Sequence, residues 1–164
     1  MQANKYNGRS SKSRLQGNLS SILERPIGNF DPDEISWITP RIGITDFEGS
    51  REAQFNDCFV INVAEELIGN IYDNVDIPFQ GDRENLHIQM NKFADLVDEK
   101  LQERPDNRVV VHCAMGMERA PLAVVGYLMK YEGLTVDEAY EVIVPKRPIV
   151  CDRRIWMEKG MWAW

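Results

Sequence analysis

Val109-Val110-Val111-His112-Cys113-Ala114-Met115-Gly116-Met117-Glu118-Arg119-Ala120-Pro121 is the stretch on which the reading of this chain turns. A β-branched run ends at a His-Cys pair. A short loop with a central glycine follows, and an arginine and a proline then open an apolar helical segment from Leu122 to Met129. Strand, tight loop and helix start in that order predict an anion site, because loop N–H groups converge on its centre and the helix points its positive end there. Cys113 then stands at the base of the loop, where the N–H dipoles, the helix N-terminus and Arg119 all favour its thiolate, the nucleophilic form. Arg119 brings a planar two-pronged donor suited to two oxygens of a tetrahedral anion, and phosphate fits that description best. Gly116 allows a positive φ or a close approach of backbone to ligand. Pro121, in the first helical turn, forfeits no hydrogen bond. The residues expected to line the anion are Ala114, Met115, Gly116, Met117, Glu118 and Arg119, with His112 and Ala120 in support.

Taken singly, each of these residues has a plainer reading: a buried structural cysteine, a satisfied histidine, a solvent-facing arginine. Their joint spacing argues against it. A zinc site is also disfavoured, since adjacent His112 and Cys113 lack the spaced ligand pairs that close a tetrahedral centre.

The chain has 164 residues, 43% of them hydrophobic, enough for one domain with a real core. Residues 31–164 are read as that domain. Residues 1–30, rich in Ser, Asn and Gly and carrying Lys5, Arg9, Lys12, Arg14 and Arg25 against Glu24, are read as a flexible basic arm. A net charge of -7 argues against nucleic-acid partners and against a polyanionic membrane surface. Cys58, Cys113 and Cys151 are an odd number with no close pairing in sequence, which suits a reducing, cytoplasmic setting. There is no apolar run near the length of about 20 residues needed to span a bilayer. The ending Met161-Trp162-Ala163-Trp164 offers no lipidation cysteine, so stable membrane anchoring is not expected.

Along the chain, Ser36–Thr39 and Arg41–Ile44 read as short strands, and Ser50 as the cap of a helix through Phe55. Cys58–Val63 is a nearly continuous apolar run, as expected of a strand covered on both faces, with Cys58 in the core. Ile71–Ile77 reads as another strand, ended by Pro78. The segment Leu86–Leu101 shows one apolar face of Leu86, Met90, Phe93, Ala94, Val97 and Leu101, and its His87 is read as structural or solvated. Arg104-Pro105-Asp106-Asn107 breaks that helix. Thr135 and Glu138 form a capping box for a helix through about Val144. Ile155, Trp156 and Met161 are placed in a last helix packing on the sheet. Strands alternating with helices predict an α/β fold, a mainly parallel central sheet flanked by helices on both faces, with Cys113 beyond the carboxyl end of its strand.

His112-Cys113-x-x-Gly116-x-x-Arg119 resembles the signature of the cysteine-dependent protein tyrosine phosphatases. Chain length and flanking pattern resemble the small dual-specificity branch of that superfamily, over Ile35 to Trp156. The run from Gly116 to Pro121 is similar to the loop of the phosphatases of regenerating liver, which also carry Ala-Pro where most relatives have serine or threonine after the arginine. Lys146-Arg147-Pro148-Ile149 resembles the Arg-Pro-x-Ile segment that closes many dual-specificity domains, although Cys151-Asp152 stand where relatives often show Pro-Asn.

The resemblance implies a phosphomonoester hydrolase, a protein phosphatase acting on phosphotyrosine with phosphoserine and phosphothreonine as further candidates, through a cysteinyl-phosphate. Cys113 would be the nucleophile and Arg119 the clamp on the equatorial oxygens. Asp82 would be the general acid, one residue later than the family register places it, with Asp76 as the fallback. The bland reading of either carboxylate is a cap on the next helix. No cofactor and no metal are expected. The partner is a phosphorylated protein or a small phosphomonoester, and oligomeric state is left open. Glu118 is expected to face solvent. Two other readings stay open: a phosphate-binding pseudophosphatase, and a sulfur transferase of the rhodanese type.

Overall fold

Val109, Val110 and Val111 build the middle strand of the sheet, since β-branched side chains suit a pleated surface buried on both faces. The computed structural model describes residues 28–159. The basic arm expected over residues 1–30 falls outside them except for Gly28, Asn29 and Phe30, as does Met161. In chain order the elements are β1 (Ser36–Thr39), β2 (Ile42–Thr45), α1 (Ser50–Phe55), β3 (Phe59–Ala64), a 3-10 turn (Glu65–Leu67), β4 (Val75–Phe79), α2 (Arg83–Glu103), β5 (Val109–His112), α3 (Arg119–Glu132), α4 (Val136–Ile143) and α5 (Arg154–Lys159). The five strands lie in the order β1-β2-β5-β3-β4. β1 and β2 are antiparallel, and the β2–β5, β5–β3 and β3–β4 pairs are parallel.

The register sets His112 level with Thr45 of β2 and Asn62 of β3. Residues of β5 alternate between the two faces. Val110 joins Val60, Cys58 and Ala53 of α1 in a small cluster on one side. Val109 and Val111 join the main core with Ile61, Val63, the α2 stripe Leu86, Met90, Phe93, Ala94 and Val97, and Leu122 to Val125 of α3. Helices therefore cover both faces of a mainly parallel sheet. Each large side chain fully buried there stabilises the fold by about 1.5–3 kcal/mol, so Phe93→Ala would cost roughly 3–5 kcal/mol once the cavity is included. The Thr135–Glu138 capping box starts α4, and Trp156 of α5 is wholly buried in the main core.

Three sequence expectations are corrected. β4 starts at Val75, leaving Ile71 83% exposed, and it runs through Pro78 to Phe79. Pro78 is tolerated because β4 is the outermost strand and its pairing with β3 is irregular between Asn62 and Ala64, so no partner requires its missing N–H. Ser50 opens α1 without capping it: Gly49 holds the cap position and the Ser50 hydroxyl donates to Phe47 O at 2.8 Å. Leu101, expected on the apolar face of α2, does pack half-buried against the main core.

Candidate functional site

Residues 113–118 leave the carboxyl end of β5 and enter α3. The carbonyls of this loop are held one after another by the surrounding scaffold. His112 Nδ1 lies 3.0 Å from Cys113 O, and Phe47 N–H donates to Ala114 O at 3.0 Å. Arg147 donates through Nη2 to Met115 O at 3.1 Å and through Nε to Gly116 O at 2.7 Å. Cys151 N–H donates to Met117 O at 2.8 Å. In a trans peptide the C=O and the next N–H point oppositely, and no peptide of the described residues is cis. Five carbonyls turned outward therefore turn the N–H groups of residues 114–118 inward, which makes a cradle for an anion. Gly116 makes the turn at φ +67°, as the loop reading requires.

Cys113 lies under this cradle, fully buried, with Ala120 N–H of the first turn of α3 donating to its Sγ at 3.5 Å. Dipole and N–H of a helix N-terminus meet at the sulfur, an arrangement that stabilises negative charge there. Burial pushes the Cys58 thiol up, and Cys58 sits away from the loop beneath α1.

Arg119 is 1% exposed, and Nη1 and Nη2 each meet one carboxylate oxygen of Glu66 at 2.6 Å. A two-pronged pair of this kind fixes the guanidinium plane. Glu66 comes from the 3-10 turn after β3, the neighbour of β5. His112 is held on its far side by Asp73, whose Oδ1 lies 2.6 Å from Nε2.

Glu118 corrects an expectation. It is fully buried, and its Oε2 accepts from Arg153 Nε at 2.7 Å, with Arg153 Nη2 also against the same oxygen. A charged residue this deep is tolerated because Arg153, also fully buried, neutralises it. Arg147 is likewise fully buried, and beyond the two loop carbonyls it donates to Ser36 Oγ at 3.0 Å and to Pro32 O at 3.0 Å. Behind the loop, burial and a hydrogen bond to Asp33 push the Asp46 carboxyl up to about 8. Glu66, Asp73, Arg147 and Arg153 were not foreseen as site residues. Only Arg147 carried a signal, as part of the Arg-Pro-x-Ile resemblance.

The two candidate acids stand apart from this cluster. Asp82 caps α2, accepting from Asn85 N at 2.9 Å and Asn85 Nδ2 at 3.0 Å, and is exposed. Asp76 is half-buried on β4 and accepts from Asn62 Nδ2 at 2.9 Å. With β3 between β4 and β5, Asp76 is about 10 Å from His112, two strand spacings away. An open groove of about 860 Å³ lined by Phe59, Asn74, Lys100 and Arg108 lies at the opposite, amino ends of β3 and β5. Among the described residues there is no cluster of three or more His, Cys, Asp or Glu side chains able to hold a metal, and no helix long and apolar enough to cross a membrane.

A family model described as "Dual specificity phosphatase, catalytic domain" matches residues 50–159. The dual specificity protein phosphatase 1 of Arabidopsis thaliana is 37% identical over 65 residues, covering 40% of this chain and 32% of that protein. The dual specificity protein phosphatase 18 of Homo sapiens is 26% identical over 93 residues, covering 56% and 50%. The chain thus spans between a third and a half of the length of these relatives. Among solved structures, human DUSP28 superposes with a TM-score of 0.65 at 16% identity, covering 81% of this chain and 90% of that one, a likeness of fold.

Proposed function

This chain belongs to the dual specificity phosphatase catalytic-domain family, and from that premise we propose that it hydrolyses phosphomonoesters of proteins, phosphotyrosine first and phosphoserine or phosphothreonine as well. The observation that carries the proposal is Cys113 at the N-terminus of α3 beneath a loop whose carbonyls are all held outward. A phosphate dianion in that cradle accepts from inward N–H groups and from Arg119, whose guanidinium Glu66 keeps in plane. Cys113 Sγ attacks phosphorus in line with the ester oxygen. The S–P bond forms as the P–O bond breaks, and Asp82 gives its proton to the departing oxygen. Water then attacks phosphorus, Asp82 takes a proton from it, and the thiolate leaves. This assignment has Asp82 turn from its capping bond to Asn85 toward the loop, and Asp76 is the alternative donor. No metal or cofactor takes part. Met115, half-buried, gives the pocket mouth an adaptable apolar wall, while Met117, expected beside it, is buried against Ile149 and Cys151. An odd number of cysteines, Cys58, Cys113 and Cys151, fits a reducing cytoplasmic setting.

Hydrolysis of a generic aryl phosphate, with Cys113→Ser as control, tests this. We expect turnover by the wild type and none by the variant. Phosphate binding without turnover would make the chain a phosphate-binding module, and transfer of sulfur from thiosulfate to cyanide would make it a sulfur transferase.

A further inference from the structure

We propose that Arg153 is a positioning residue for anion binding: its buried guanidinium cancels the charge of Glu118, which would otherwise repel phosphate from the Cys113 loop. The inference rests on the phosphate-binding reading of that loop. Glu118 is the cap residue of α3, immediately before Arg119, and its side chain makes no capping bond to the helix. A carboxylate at a helix N-terminus normally occupies the place where an external anion would go. Here it turns away, is fully buried, and is engaged on one oxygen by Arg153 Nε at 2.7 Å. Its other oxygen, Oε1, has no hydrogen-bond partner among the described residues, so its neutralisation depends on Arg153.

The placement of Arg153 is itself determined by the fold. Its backbone N–H donates to the buried Tyr140 hydroxyl at 3.0 Å, its guanidinium lies 5.2 Å from the Trp156 ring centroid, and Cys151, two residues earlier, donates to Met117 O. The segment between α4 and α5 thus closes the loop from behind and delivers one positive charge to the buried Glu118 carboxylate. In a dry setting charges separated by several ångströms still interact strongly, and the phosphate carries about two negative charges. Removing Arg153 alone therefore has one of two results. Either Glu118 stays ionised and anion affinity falls by roughly ten- to a hundredfold, or Glu118 takes up a proton and the site stays neutral at the expense of proton-linked binding.

The test is calorimetric titration with sulfate, whose charge is constant over the neutral range, on the wild type, Arg153→Met, Glu118→Gln, the double variant and Arg153→Lys, with melting temperature recorded for each. Arg153→Met is expected to lose sulfate affinity as above, or to show a binding heat that changes with buffer ionisation enthalpy where the wild type shows none. Glu118→Gln, with Arg153 unopposed, is expected to bind sulfate more tightly, and the double variant to return to within a few-fold of the wild type even though the pair is gone. Arg153→Lys, which keeps the charge, is expected to bind like the wild type. If Arg153→Met fails to fold, the Glu118→Gln and Arg153→Lys arms decide. A pair that merely clips α5 to α3 would lower the melting temperatures and leave sulfate affinity and its buffer dependence unchanged in every variant, which overturns the proposal. Absence of sulfate binding by the wild type would overturn the cradle reading itself.

Discussion

Gly116→Ala is the substitution whose cost the structure specifies most closely. Gly116 has φ +67°, a region that costs a residue with a Cβ roughly 1–2 kcal/mol. A Cβ placed there would lie 2.6 Å from Thr45 O, a backbone atom of β2, and 2.5 Å from Arg147 Nη2. Overpacking of that kind adds about 1–3 kcal/mol. The total, about 2–5 kcal/mol, is a large share of the roughly 5–15 kcal/mol that holds a domain folded. At about 2–4 °C per kcal/mol for a chain of this size, the melting temperature should fall by roughly 5–15 °C. Gly133→Ala is the matched reference, because Gly133 ends α3 at φ +70° with nothing within 4 Å of its Cβ position. It should cost only the conformational part, about 1–2 kcal/mol, and leave activity intact. In Gly116→Ala the loop must shift away from Thr45 and from Arg147, the donor that turns two of its carbonyls outward, and kcat/KM should fall by about a hundredfold or more. Calorimetric melts and steady-state kinetics on both variants check this. If Gly116→Ala melts with Gly133→Ala and keeps its kcat/KM, the packing argument for the cradle is refuted.

Asp82→Asn should depress turnover by about 10² to 10⁴, with a smaller loss for substrates whose leaving groups need no proton; a silent Asp82→Asn beside a crippled Asp76→Asn would move the acid to β4. Ala120 has no hydroxyl to offer the departing sulfur and gives it a backbone N–H at 3.5 Å, so the second chemical step should be slow and a burst should precede steady turnover. Ala120→Ser should raise the steady rate and shrink the burst in rapid mixing, and no change in either would show that the thiolate leaves unaided. Burial and Asp33 push the Asp46 carboxyl up to about 8, above the ordinary Asp value of about 3.9, so the folded state keeps a proton that the unfolded chain releases. Stability present below the lower value is then lost as pH rises toward the higher one, and Asp46→Asn should gain melting temperature on the wild type between about pH 5 and about pH 9. A gap independent of pH would show that Asp46 is ionised throughout.

Local patterns carried most of the fold. The valine run of β5, the α2 stripe and the Thr135–Glu138 box each act within one element, so spacing alone reveals them. Cys113, Gly116 and Arg119 were legible for the same reason, since one loop holds all three. Glu66 and Asp73 were not. They reach Arg119 and His112 only because β3 lies beside β5, a strand order that periodicity does not encode. Glu118 misled because a charged loop residue ordinarily faces water, and its partner lies 35 positions away. Pro78 misled because a proline ends a ladder only where a neighbour needs its N–H, and the edge position of β4 removes that need.

The central claim is that Cys113 carries the phosphoryl group. Rapid acid quench during hydrolysis of an aryl phosphate, followed by mass spectrometry of the digested protein, tests it directly. The account predicts one added phosphoryl group on the peptide that holds Cys113, and none in Cys113→Ser, which also fails to turn over. Phosphate found on another residue, or hydrolysis retained by Cys113→Ser, would contradict it.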